Sequence, residues 1–130
     1  MKIKLSEPNI ENTELNAIKN SIRTGWLTHG NNNIKFESFF QKKFNIKYAL
    51  SLNSCTSALE IAVKCLDKKG EIILPSFTWV SSANAIINCG CTPVFADIDL
   101  NSKNIDPKIV EQKINKKTVA IMVVHFGGLP

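Results

Sequence analysis

The chain has 130 residues, of which 44% are hydrophobic and 21% are charged. This length and composition suit one modest α/β domain and give no sign of disorder or of a repeat array. Sixteen Lys and Arg residues exceed eleven Asp and Glu residues, which gives a formal net charge of +5. Because the lysines are scattered, with no dense basic run, this charge indicates a solvated surface and not a nucleic-acid interface.

The cysteines and the N-terminus indicate neither a metal site nor a membrane segment. Four cysteines lack the paired spacing of a zinc site, and we expect all of them to be reduced core thiols: Cys55, Cys65, Cys89 and Cys91. Residues 1–7 contain no apolar stretch typical of a secretory signal, and no apolar run approaches membrane-spanning length. We therefore expect a cytoplasmic protein that binds no metal and no membrane.

Two helices are predicted in the first part of the chain. Apolar residues recur at helical spacing over residues 12–23, with Asn12 or Thr13 as the cap and Gly25 as the stop. After the loop 25–30, phenylalanines at helical spacing predict a second helix capped by an asparagine from residues 31–33. We assign residues 1–46 to an N-terminal helical segment and residues 47–130 to an incomplete α/β domain.

From Tyr48 onward, predicted strands alternate with predicted helices. Strands are expected at residues 48–52, 71–74, 93–97 and 119–125, and helices at residues 54–66, 79–89 and 107–114. Such a series of βαβ units predicts a mostly parallel sheet with flanking helices. The stretch 119–124 is apolar without alternation, which is typical of a strand buried on both faces.

Three loops leave the carboxyl ends of predicted strands, at residues 53–57, 75–81 and 125–130, and should lie near one another. The first places Ser54-Cys55-Thr56-Ser57 at a helix start, where unpaired amides favour an anion such as the phosphate of a cofactor. An ordinary serine N-cap is the alternative interpretation of the same residues. In the second loop, the planar side chain of Trp79 suits either stacking on a flat cofactor ring or packing over the sheet edge.

Seven sequence blocks resemble, in order and spacing, the DegT/StrS-type nucleotide-sugar aminotransferases. They cover residues 24–30, 36–37, 53–59, 71–81, 83–86, 93–99 and 124–130. Each block is weak by itself, but seven collinear blocks extend over nearly the whole chain. The resemblance favours the phosphate site over the plain N-cap at residues 54–57.

The resemblance implies a pyridoxal-phosphate (PLP) enzyme of fold type I, the aspartate-aminotransferase fold, of which this chain forms the N-terminal part of the large domain. Such enzymes move an amino group from glutamate to a keto-sugar attached to a nucleotide, usually as homodimers. At the matching positions, Thr56 and Ser57 would bind the cofactor phosphate and Trp79 would stack on the pyridine ring. The loop that carries Trp26 and Thr28 would border the sugar-nucleotide pocket.

The same resemblance assigns no catalytic residue to this chain. The Schiff-base lysine and the carboxylate that pairs with the ring nitrogen are expected beyond Pro130, and Lys64, Lys68 and Lys69 do not occupy the matching position. We therefore expect an N-terminal fragment that is inactive alone. Two alternatives stay open: a PLP-dependent sugar dehydratase of the same fold, and a truncated binding module without catalysis.

Overall fold

The computed structural model describes residues 6–130, in two compact units that meet in sequence between Ser51 and Leu52. The division of the chain into domains at residues 1–46 and 47–130 stays a prediction. No helix within residues 6–130 is long and apolar enough to cross a membrane.

The first unit contains both predicted helices, α1 (Asn12–Thr24) and α2 (Asn31–Phe44). Their N-caps lie one residue earlier than predicted, at Glu11 and Gly30. The Glu14 carboxylate accepts the Glu11 amide at 2.8 Å, and the Asn33 side chain accepts the Gly30 amide at 3.1 Å. In both helices the side chain three residues after the cap satisfies an amide that the helix itself leaves unpaired.

The strand predicted over residues 48–52 is wrong, because these residues form no regular secondary structure. A strand needs a neighbour to accept and donate its backbone hydrogen bonds, and no described strand pairs with this segment. The amide of Ser51 donates instead to the carboxylate of Glu37 at 2.8 Å. Tyr48 and Leu50 are 75% and 67% exposed.

The second unit has the α/β architecture that the sequence predicts, and every predicted element after residue 53 is present. In chain order these are α3 (Cys55–Lys64), β1 (Glu71–Pro75), α4 (Val80–Asn88), β2 (Thr92–Ala96), α5 (Pro107–Lys113) and β3 (Thr118–Ile121). A 3-10 turn follows at Phe126–Gly128. The strands form a parallel sheet in the order β2-β1-β3.

The third strand is shorter than predicted and is not buried on both faces. After Ile121, which pairs with Ile73, one more hydrogen bond runs from the Met122 amide to the Ile73 carbonyl at 2.7 Å. The ladder cannot continue far, because β1 ends at Pro75, which has no amide hydrogen to donate. Within residues 6–130 β3 is an edge strand, and Ile121 and Val123 are 44% and 53% exposed.

The central strand β1 supplies the core on both faces of the sheet. On one face Ile72 and Leu74 pack with Val63 of α3 and Ile86 of α4, and on the other face Ile73 packs with Val110 of α5. Helices therefore cover both faces, as an apolar strand of this kind requires.

The expectation of four core thiols is right for only two cysteines. Cys89 and Cys91 are buried against the α3–α4 face of the sheet, whereas Cys55 and Cys65 are exposed. Cys55 and Cys65 lie at the two ends of α3, outside the apolar cluster, whereas Cys89 and Cys91 pack in that cluster with Ile72 and Ile86. All four thiols are free.

Candidate functional site

A cavity of about 550 Å³ lies at the carboxyl end of the sheet in the second unit. Three segments line it: the start of α3, the loop from β1 into α4, and the residues that follow β3. Its lining residues are Cys55, Thr56, Leu59, Thr78, Trp79, Ser81, Ser82, Met122, Val123 and Val124. Parallel strands end at the same edge, so their following loops converge, as the sequence predicted for the loops at residues 53–57 and 75–81. The third lining segment is residues 122–124, within the predicted strand 119–125, and not the predicted loop 125–130.

The start of α3 has the serine N-cap that was one interpretation of these residues, and it also leaves backbone amides unpaired. Ser54 is an N-cap, since its Oγ accepts the Ser57 amide at 3.1 Å, and its carbonyl accepts the Ala58 amide at 3.2 Å. The amides of Cys55 and Thr56 have no acceptor among residues 6–130. The cap therefore fixes the helix start and leaves two amide donors beside the cavity, at the positive end of the helix dipole.

The predicted phosphate-binding residues differ in their surroundings. Thr56 is exposed and lines the cavity. Ser57 is half-buried and is not among the lining residues, and its Oγ accepts a hydrogen bond from the Ser54 hydroxyl at 2.9 Å. Thr56 is thus the better placed of the two hydroxyls to meet a ligand in the cavity.

The indole of Trp79 lies at the surface of the cavity and not in the interior. Trp79 is the N-cap residue of α4, its carbonyl accepts the Ser82 amide at 3.0 Å, and 78% of it is exposed. Beside it, the hydroxyls of Thr78 and Ser82 are 2.9 Å apart, and Ser82 is buried. The contact between Thr78 and Ser82 holds the loop, and the exposed face of the Trp79 indole is available for stacking.

The chemistry of the cavity suits an anion held by neutral donors. None of the lining residues carries a charge, so an anion there would depend on amides, hydroxyls and the helix dipole. Across the described chain, no three His, Cys, Asp or Glu side chains come close enough together to hold a metal ion.

The predicted substrate residues Trp26 and Thr28 line a different, open groove of about 860 Å³ within the first unit. The indole nitrogen of Trp26 donates to the His29 carbonyl at 2.9 Å, so this donor is used within its own loop. Gly30 lies directly against the ring, where a β-carbon would come within 2.2 Å of Nε1. The exposed face of the Trp26 ring is what remains for a ligand, since 64% of the residue is exposed.

Glu37 anchors the end of the first unit and has no role in the sequence-based predictions beyond its place in a motif. Its Oε1 accepts the Ser51 amide and the Ser51 hydroxyl, each at 2.8 Å, and lies 3.4 Å from Nε2 of His29. The two bonds from Ser51 come first among the causes that lower the pKa of Glu37, and His29 adds to them. Its partners are 8 and 14 residues away, so no local pattern reveals them.

A parallel sheet with a helix start and an exposed aromatic residue at its carboxyl edge defines an α/β protein that can bind a phosphorylated ligand. The chain belongs to the DegT/DnrJ/EryC1/StrS aminotransferase family, whose sequence profile matches residues 8–130. The fold is that of the solved sugar aminotransferases of fold type I.

Individual relatives agree with this family. The chain is 41% identical over 125 residues to the spore coat polysaccharide biosynthesis protein SpsC of Bacillus subtilis, covering 95% of the chain and 32% of SpsC. PseC of Helicobacter pylori, an aminotransferase involved in pseudoaminic acid biosynthesis, superposes with a TM-score of 0.92 at 32% identity, covering 100% of this chain and 36% of that one.

A dehydratase shares the same fold. The GDP-4-keto-6-deoxy-D-mannose-3-dehydratase of Escherichia coli, solved with hydrated PLP, matches with a TM-score of 0.84 at 28% identity, covering 92% of this chain and 33% of that one. Two other solved structures with this fold are the PLP form and the PMP form of a putative sugar aminotransferase from Streptococcus pneumoniae. The chain spans about a third of the length of the curated relatives that it matches.

Proposed function

We propose that the protein is a PLP-dependent aminotransferase that moves an amino group from glutamate to a nucleotide-linked keto-sugar. One observation carries the proposal: the cavity joins two unpaired amides at a helix start to an exposed indole, with no charged side chain in its lining. PLP carries a phosphate and a flat aromatic ring. The helix start can bind the phosphate, and the indole can stack on the ring.

In this proposal the chain supplies the binding half of the site. The amides of Cys55 and Thr56 and the Thr56 hydroxyl hold the phosphate, with the Ser57 hydroxyl behind them, and Trp79 orients the ring by stacking. When bound, PLP supplies an electron sink for the substrate carbon whose proton is removed. The lysine and the carboxylate that complete the site are proposed to come from positions beyond residue 130.

The sugar-nucleotide substrate is proposed to contact the groove of the first unit. The exposed ring face of Trp26 suits stacking on a sugar or a base, and the Thr28 hydroxyl can donate to a sugar oxygen. The names of two relatives support a sugar substrate, because one refers to a polysaccharide and the other to a GDP-linked keto-sugar. As in the family that the sequence resembles, we propose a homodimer.

A sugar dehydratase is the second candidate, because the E. coli dehydratase shares the fold over 92% of this chain. Both reactions would need the same contacts to PLP, so the cavity lining fits them equally. The resemblance predicts that the two differ at the Schiff-base position, where dehydratases typically have histidine.

The test uses the full-length protein with PLP, glutamate and a nucleotide-linked keto-sugar. Mass spectrometry of the sugar product separates the two reactions, because transamination replaces a keto oxygen by an amino group and dehydration removes water. Trp79→Leu and Thr56→Val should each weaken PLP binding, measured by the visible absorbance of the bound cofactor. Trp26→Leu should leave PLP binding unchanged and raise KM for the sugar. Wild-type PLP affinity in both Trp79→Leu and Thr56→Val would contradict the proposed site.

A further inference from the structure

The segment that follows β3 forms one wall of the cavity and then continues into a turn with little burial to hold it. Met122, Val123 and Val124 line the cavity, and every residue from 125 to 130 is exposed. Gly127 and Gly128 have φ of +62° and +80°, in the left-handed region that glycine enters at little cost. Nothing lies within 4 Å of the position of a β-carbon at either glycine. The turn therefore needs some other contact to keep its place.

The side chain of Asn104 provides that contact. Its Oδ1 accepts the Phe126 amide at 2.9 Å, and its Nδ2 donates to the Leu129 carbonyl at 3.0 Å. Both polar atoms of one side chain thus hold the turn at two points, three residues apart. Asn104 is itself fixed by its backbone, because its carbonyl accepts the Asp99 amide at 2.9 Å and the next residue, Ile105, is buried.

From this turn a second contact leads to the opposite wall of the cavity. The ring of Phe126 packs against the ring of Phe77, with centroids 4.7 Å apart and planes at 40°. Phe77 directly precedes Thr78 and Trp79, which line the cavity. Asn104 therefore binds the amide of Phe126, and the ring of the same Phe126 packs on Phe77 in the loop that carries Trp79.

We propose that Asn104 is a positioning residue for the candidate cofactor site. It is not among the residues that line the cavity, and it fixes the segment after β3 and, through Phe126 and Phe77, the loop that carries Trp79. The proposal rests on the proposed function in so far as the ligand is PLP. Loss of the two hydrogen bonds should let residues 122–124 move away from the loop that carries Trp79. We therefore expect PLP affinity to fall about tenfold.

Asn115 offers a matched control at the other end of the same sheet. Its side chain also bridges a turn, since Nδ2 donates to Glu71 Oε2 at 2.7 Å and Oδ1 accepts the Lys117 amide at 2.8 Å. Asn115→Ala should cost about as much stability as Asn104→Ala, far from the cavity. Any difference between the two variants in PLP affinity then measures positioning and not general destabilisation.

The experiment measures the PLP dissociation constant, by titration of the full-length apoprotein, for wild type, Asn104→Ala, Asn104→Asp and Asn115→Ala. We expect the constant to rise about tenfold for Asn104→Ala and to stay at the wild-type value for Asn115→Ala. Asn104→Asp keeps an acceptor for the Phe126 amide but replaces the donor to Leu129 by an anionic oxygen that faces the Leu129 carbonyl, so its constant should rise at least as far as that of Asn104→Ala. Equal PLP affinity in Asn104→Ala and Asn115→Ala would overturn the proposal.

Two further measurements keep this claim separate from the proposed function. Hydrogen–deuterium exchange over residues 122–130 needs no cofactor, and it should be faster in Asn104→Ala than in wild type and unchanged in Asn115→Ala. Failure of the wild-type protein to bind PLP would overturn the proposed function. Exchange at the wild-type rate in Asn104→Ala would overturn the positioning role, whether or not PLP binds. If Asn104→Ala does not fold, Phe126→Leu replaces it: the backbone hydrogen bonds stay, and weaker PLP binding than in Asn115→Ala is expected.

Discussion

Both the amide and the hydroxyl of Ser51 donate to one carboxylate oxygen of Glu37, each at 2.8 Å. This relationship joins the end of the first unit to the middle of α2. The Ser51 amide is thereby bound, although it belongs to residues 48–52, whose apolar pattern predicts a strand. Since the acceptor is a charged group, the contact depends on pH.

Glu37→Gln should remove this pH dependence. The Ser51 amide, the Ser51 hydroxyl and His29 lower the pKa of Glu37 below its ordinary value of 4.5. A lowered folded-state pKa means that the carboxylate stabilises the fold above the unfolded-state value, and that this contribution disappears as the pH falls through the lower, folded-state value. We expect the gap in unfolding temperature between wild type and Glu37→Gln to be constant above about pH 5 and to narrow below about pH 4.

The control for this measurement is Glu111→Gln, at an exposed carboxylate that makes no hydrogen bond or ion pair within residues 6–130. Its unfolding temperature should track that of wild type across the same pH range. A gap for Glu37→Gln that grows as the pH falls would contradict the assigned sign.

Gly30→Ala should displace the Trp26 ring. Gly30 has an extended backbone, so the cost is not backbone strain, but an added β-carbon would lie 2.2 Å from Nε1 and 2.5 Å from Cδ1 of Trp26. We expect a loss of about 1–3 kcal/mol in stability and a shift in tryptophan fluorescence. In a Trp26→Ala background the same substitution should cost almost nothing, because the clashing ring is absent.

Gly25→Ala separates this steric effect from a conformational one. Gly25 has φ of +70° and nothing within 4 Å of its β-carbon position, so alanine should cost about 1 kcal/mol through strain alone. That cost should be the same with and without the Trp26 ring. Rescue of both glycine variants by Trp26→Ala would show that the ring contact is not the cause.

Ser54→Ala and Asp106→Ala remove comparable N-caps with different expected effects on PLP. Ser54 Oγ accepts the Ser57 amide at the cavity, whereas Asp106 Oδ1 accepts the Lys108 amide at 2.8 Å at the start of α5. Each substitution should cost about 1 kcal/mol of stability. Under the proposed function only Ser54→Ala should weaken PLP binding in an absorbance titration, because it loosens the turn that presents the Cys55 and Thr56 amides. Equal PLP affinities in the two variants would count against that arrangement.

Local signals in the sequence were sufficient for most of the fold. Apolar spacing and the stop at Gly25 gave α1, and Asp106-Pro107 gave the start of α5, because caps and helix periods depend on neighbours a few residues away. The strand at residues 48–52 was wrong for the opposite reason. Its apolar pattern is local, but a strand also needs a partner, and in the described chain the Ser51 amide is bound by Glu37.

The candidate site shows the same limit. The predicted parallel sheet placed the loops that carry Thr56 and Trp79 near one another, because parallel strands end at a common edge, and both residues line one cavity. No pattern pointed to Asn104, whose partners lie 22 and 25 residues further along the chain. An asparagine in a turn-rich segment normally predicts a local Asx turn, and only the folded backbone shows which distant amide it meets.

The last prediction uses the thiol at the start of α3 as a reporter of the cavity. Cys55 is exposed and lines the cavity, whereas Cys65 is exposed but lies outside it, at the other end of the same helix. PLP bound against the Cys55 and Thr56 amides should slow alkylation of Cys55 by iodoacetamide and leave the rate at Cys65 unchanged, as followed by peptide mass spectrometry. Because the two thiols lie at opposite ends of α3, general stabilisation of the helix would slow alkylation of both, whereas local occupation of the cavity would slow alkylation of Cys55 alone. Equal slowing at the two positions would therefore contradict cofactor binding at the helix start.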